Sequence, residues 1–89
     1  MSAYTRGIWK RAEAARKRAQ KRHPQPNYVC LKVAEEAGEV VQAAVHYREG
    51  RKTWGEVEGE AVQAIAMLMR LLVEGDHVNG IYPPKKVEV

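Results

Sequence analysis

Apolar positions along the chain recur at helical spacing in three segments, and nowhere alternate as a strand would. From about Tyr4 to Arg22, the residues Ile8, Ala12, Ala15 and Ala19 lie four, three and four positions apart. They make a thin apolar stripe with Trp9 at its edge and basic side chains round most of the remaining circumference. His23-Pro24-Gln25-Pro26 ends this helix, since each proline disfavours helical backbone in the residue before it. A second helix is predicted over 27–50, opened by Asn27 as N-cap and closed by Gly50. Val29, Val33, Ala37, Val40, Val41 and Ala44 mark its buried face. A third is predicted over 53–75, where Thr53-Trp54-Gly55-Glu56 has the capping-box form. Val57, Ala61, Ala64, Ile65, Leu68 and Leu72 carry its apolar face to Gly75. The short connection at 50–52 forces the second and third helices into an antiparallel hairpin. Residues 76–89, with Asn79-Gly80 and Pro83-Pro84, have no period and read as an extended tail lying across a neighbouring subunit.

The predicted fold class is therefore all-α: a single domain over 1–89, with an antiparallel hairpin preceded by a basic helix at 1–22. Composition adds a constraint on its core. There is no Phe and only four Leu, against twelve Ala and eleven Val, so each core residue buries little area. A chain of 89 residues also buries only about 60–65% of the surface it exposes when unfolded. Both features predict a homodimer or homotetramer in which subunits complete a four-helix bundle. No uncharged apolar run approaches the ~20 residues of a membrane span, and no apolar stretch follows the basic start as a secretory signal requires. Cys30 is alone and has no disulfide partner within the chain, which points to a reducing cytoplasm. It reads as a small core residue, as do Met67 and Met69.

Charge changes the picture further. The net +4 divides into eight basic side chains against one acid, Glu13, over 1–22, and seven basic against ten acidic over 23–89. A basic helix is thus joined to an acidic body. The helix has three readings: a solvated face, a clamp for the acidic surface of a neighbouring subunit or for substrate phosphates, or a nucleic-acid surface whose affinity falls with salt. No helix-turn-helix, zinc-finger or RNA-binding signature accompanies it.

The acidic body holds the candidate chemistry. Glu35, Glu36 and Glu39 crowd five consecutive positions of the second helix, with Glu36 and Glu39 sharing a face and Lys32 placed to relieve part of the repulsion. Apolar neighbours Leu31, Val33, Ala34, Val40 and Val41 leave little room for an ordinary polar surface. On the third helix Glu56 and Glu60 share a face with Gln63, Met67 and Arg70. In a hairpin, Glu36 and Glu39 can converge with Glu60 and Gln63, an oxygen-rich set suited to a hard divalent cation.

These residues carry a resemblance. Lys32-Val33-Ala34-Glu35-Glu36-Ala37-Gly38-Glu39-Val40-Val41-Gln42-Ala43 resembles the first motif of the MazG-like all-α nucleoside triphosphate pyrophosphohydrolases, a superfamily that includes dimeric dUTPases and phosphoribosyl-ATP pyrophosphatases. Its signature is Glu-x-x-Glu, a spacer, then Glu-x-x-Asp. Glu36-x-x-Glu39 matches the first half, and Glu60 follows after twenty residues. The resemblance covers about residues 28–75 and departs from the pattern at one place, where Gln63 stands for the Asp. It implies that Glu36, Glu39 and Glu60, with Gln63 in the fourth place, hold Mg²⁺ (or Mn²⁺) and that the substrate is a nucleoside triphosphate. It further implies that Glu35 or a ligand glutamate orients the attacking water, and that Lys32, Lys52 and Arg70 pair with phosphate. Trp9 is the candidate to stack on a base, whereas Trp54 reads as a packing residue and His46 as a surface or packing one. Because Gln63 is neutral, the alternative is a catalytically degenerate protein of the same fold that binds nucleotide, nucleic acid or a protein partner.

Overall fold

The computed structural model describes residues 1–85, and its order of elements is α1 (Ala3–Arg22), α2 (Val29–Arg48) and α3 (Trp54–Glu74). The all-α expectation holds, and no strand occurs among the described residues. No helix among them is long and apolar enough to cross a membrane.

Local signals explain most of the boundaries. The Ser2 hydroxyl accepts from the Thr5 amide at 3.1 Å and caps α1. Gly50 ends α2 at φ +76°, where its amide bonds Tyr47 O at 3.0 Å and the Arg51 amide reaches back to His46 O at 2.8 Å. That pair of bonds is a Schellman closure, which needs a left-handed residue and so a glycine. Thr53 caps α3 by accepting from the Glu56 amide at 3.2 Å.

The start of α2 departs from expectation. Asn27 is not the cap: Tyr28 holds that position without a side-chain bond, while the Asn27 amide group donates back to His23 O. The cap comes instead from Asp76, whose Oδ2 accepts from the Cys30 amide at 2.8 Å across 46 residues. Asp76 is 0% exposed, and the Cys30 amide together with the Asn79 side chain and amide pulls its carboxyl from 3.8 down to about 2. Half-buried Cys30 lies beside it, and burial, followed by hydrogen bonding to Asp76 and then its charge, pushes the thiol up.

Asp76 also corrects the reading of the tail. Residues 76–81 are not extended: Asp76 and Ile81 exchange two backbone hydrogen bonds, each 2.9 Å, around a turn through Asn79-Gly80. Gly75 enters this turn at φ +81° and ψ −156°, a region open essentially to glycine. The expectation for 86–89 lies outside the described residues.

Helix α3 is the common partner: α1 and α2 each pack against it, and their backbones do not pack on each other. The predicted α1 stripe is inside, with Ala12 and Ala15 buried against Val62, Ala66 and Met67, and Ile8, Ala19 and Met69 alongside. Alanine at the contact lets the two helix backbones approach closely. The predicted faces of α2 and α3 are only partly inside. On α2, Val29 and Ala43 are buried, whereas Ala37, Val41 and Ala44 are exposed. On α3, Val57 is buried, but Leu68 and Leu72 face solvent and the sealed positions are Val62, Ala66, Met67 and Arg70. Trp54 is exposed too, meeting Tyr47 edge to face at 5.2 Å. The physical reason is that helical periodicity marks apolar faces without saying which wall covers them, and one chain supplies α2 with one wall only.

The turn after α3 yields a test. A Cβ built on Gly75 would stand 2.1 Å from Ile81 O, a backbone atom held by the Asp76 pairing. Gly75→Ala is expected to lower unfolding free energy by at least about 2 kcal/mol, read from urea denaturation, because both strain and clash act on it.

Candidate metal centre

The hairpin turns the sequence spacing into a cluster. Glu36 and Glu39 project from adjacent turns of α2 and Glu60 from the first half of α3, and one carboxylate oxygen of each lies within 4.8 Å of the others. Glu36 and Glu60 are half-buried and Glu39 is exposed. Among the described residues no Lys or Arg nitrogen stands within ion-pair distance of the three. Lys32 and Lys52 only offset Glu36 and Glu60 from farther away.

The electrostatic consequence falls on two of the three. Burial raises the Glu36 carboxyl above the ordinary glutamate range, and the Glu39 and Glu60 charges push it the same way. Burial also raises Glu60, with Glu39 adding to it. Glu36 Oε2 is buried with no hydrogen-bond partner among the described residues. An acceptor left in that condition disfavours the folded state by about 1–3 kcal/mol unless a proton or a cation satisfies it. The donor set is all oxygen, negatively charged and convergent, so these residues fit a hard divalent cation.

A cavity of about 340 Å³ adjoins the cluster. Glu36, Lys32, Gln63 and Arg70 lie on its wall, and α1 contributes Arg18 and Arg22. Gln63 is exposed and lines the same cavity as Glu36, one turn after Glu60.

The remaining expected site residues scatter. Glu35 is exposed, 3.5 Å from Lys32 in an ion pair, and stands outside the carboxylate cluster. Lys52 pairs with Glu56 at 3.4 Å near the Glu60 side. Trp9 is exposed on α1 and does not line the cavity. Arg70 is 1% exposed and largely engaged: its Nε meets both Glu74 oxygens at 3.0 Å and its terminal nitrogen donates to His23 O. Arg18 and Arg22 went unmarked in the sequence because the basic residues of α1 look alike there. Only the packing of α1 on α3 separates the two that reach the cavity.

Comparison with protein-family models, curated proteins and solved structures finds no match to this chain.

The cluster sets a pH dependence. Glu36 and Glu60 hold their protons to higher pH in the folded state than in the unfolded chain, so they subtract stability as pH rises above 4.5. In EDTA, Glu36→Gln is expected to flatten this decline and to raise stability at pH 7 by on the order of 1 kcal/mol, since the amide donates where Oε2 had no partner. Thermal melts of both proteins from pH 4 to pH 8 measure it.

Proposed function

We propose that the chain is a divalent-cation-dependent hydrolase that cleaves nucleoside triphosphates to monophosphate and pyrophosphate, a member of the MazG-like group that its first motif resembles. The observation that carries this reading is the convergence of Glu36, Glu39 and Glu60 beside a cavity walled by basic side chains. These glutamates, with the Gln63 carbonyl in the fourth place, would hold Mg²⁺ or Mn²⁺. When bound, the cation supplies neutralisation of the triphosphate and makes hydroxide accessible from water near neutral pH.

The residues of the chain do the rest. A water oxygen attacks the α-phosphorus, the bond to the bridging oxygen between α- and β-phosphorus breaks, and pyrophosphate leaves. The water proton passes to a glutamate of the cluster. Glu36, the cluster glutamate that lines the cavity, is placed for this role. Glu35, paired with Lys32, is the weaker choice. Lys32, on the cavity wall, offers its ammonium to a phosphate oxygen.

One observation favours a second reading. Gln63 lacks the charge of the family's Asp, so a binding protein that has lost turnover is the alternative. A pyrophosphate-release panel over common NTPs and dNTPs with Mg²⁺ or Mn²⁺ separates the two. Turnover by wild type that Glu39→Ala abolishes supports the hydrolase. An inactive wild type made active by Gln63→Asp supports the degenerate copy, and silence from both overturns the hydrolase.

The same proposal extends to assembly. The α2 line of Leu31, Ala34, Gly38, Val41 and Val45 is exposed at spacings of three and four, with Val41 at 64%. Leu68 and Leu72 add a second exposed line on α3, with Leu72 at 70%. A second copy covering both would complete a four-helix bundle, as the alanine- and valine-rich core requires. Sedimentation velocity is expected to show wild type as a dimer or larger, and Val41→Glu with Leu72→Glu as a monomer.

A further inference from the structure

We propose that the cavity beside the carboxylate cluster is a polyphosphate pocket in which Arg18 and Arg22 of α1 bind the phosphates remote from the cluster. The proposal rests on the hydrolase reading for its substrate, but the pocket itself stands on separate observations. Four basic side chains line it, Arg18, Arg22, Lys32 and Arg70, against one carboxylate, Glu36. Its volume of about 340 Å³ suits a small molecule.

The two arginines are distinguished by having nothing else to do. Arg16 is buried and bonded to Glu13 and Gln20, Arg70 to Glu74 and the His23 carbonyl, and Lys32 to Glu35. Arg18 and Arg22 make no ion pair or side-chain hydrogen bond among the described residues. They stand four residues apart, on one face of α1, and that face is turned to the cavity. A guanidinium pair so placed matches phosphate oxygens through forked hydrogen bonds. Lys10, Arg11, Lys17 and Lys21 do not line the cavity, which sets Arg18 and Arg22 apart from them.

The polarity of the pocket follows. Its acidic end at Glu36 repels a bare anion and accepts one only where a cation intervenes, while its arginine end attracts an anion unaided. A linear polyanion would therefore lie with its reacting phosphate at the glutamates and its terminal phosphates at α1. A nucleic-acid backbone would instead use the outer face of α1, where Lys10 and Lys17 are.

Calorimetric titration with inorganic tripolyphosphate tests the pocket, first in EDTA and then with Mg²⁺. In EDTA, wild type is expected to bind, and Arg18→Gln with Arg22→Gln to lose affinity by about tenfold or more, which is about 1.4 kcal/mol. Lys10→Gln with Lys17→Gln removes the same charge and is expected to bind within about twofold of wild type. All four positions are exposed, and circular dichroism verifies that the helices persist. No binding by wild type, undiminished binding by the arginine variant, or equal loss in the lysine variant overturns the proposal. A single-stranded oligonucleotide whose binding depends on Lys10 and Lys17, with tripolyphosphate ignoring Arg18 and Arg22, assigns α1 to nucleic acid and likewise overturns it. Added Mg²⁺ is expected to tighten binding in wild type and not in Glu39→Gln. Arginine-dependent binding that Mg²⁺ leaves unchanged keeps the pocket and overturns the metal reading alone.

Discussion

The arrangement of this small molecule depends on a buried ion pair at the end of α3. Arg70 and Glu74, one turn apart, are both nearly sealed from solvent, and each also holds a segment from outside the helix. Arg70 takes the carbonyl of His23, which ends α1. Glu74 accepts from Gln25 at 3.2 Å, and Gln25 in turn bonds the Gly75 carbonyl and the amides of Asn27 and His77. Removing one partner of such a pair leaves a buried charge and disfavours the fold by about 3–5 kcal/mol. The end of α1, the linker, the start of α2 and the turn after α3 thus meet at one polar junction.

That junction matters because the backbones of α1 and α2 do not pack on each other. Each rests on α3, α1 through alanines and α2 through a few valines and Ala43, contacts that bury little area per residue. With its apolar contacts so thin, the spacing between α1 and α2 is set by polar bonds of fixed geometry. The cavity lies in that space, with Arg18 and Arg22 on one side and Glu36 and Lys32 on the other. Asp76 adds a second constraint by capping α2 from the far end of the chain. The candidate chemistry depends on the linker as much as on the motif helices.

The carboxylate cluster works against this stability. Among the described residues three glutamates converge without a cationic partner at contact distance, and one buried oxygen has no donor. That repulsion and the unpaired oxygen are borne by a fold whose core is modest. The exposed apolar lines on α2 and α3 are the packing counterpart: Val41 and Leu72 stand on faces that the described chain leaves open.

Much of this was legible in the residues alone. Three helices, the α1 stripe, the Gly50 and Thr53 boundaries, and the pairing of Glu36 and Glu39 follow from local rules, because capping and helical period act over a few residues. The convergence of Glu60 followed from the short 50–52 connection, which allows only an antiparallel hairpin. Other features were decided by tertiary structure. Asp76 as the cap of α2 and Arg70 as a buried tie involve partners 46 and 47 positions away, and Arg18 and Arg22 become cavity walls only through the packing of α1 on α3. Sequence spacing carries no record of such distances. It likewise marked Leu68, Leu72 and Val41 as apolar without revealing that one chain leaves them uncovered, since burial belongs to the assembled surface and not to the period of a helix.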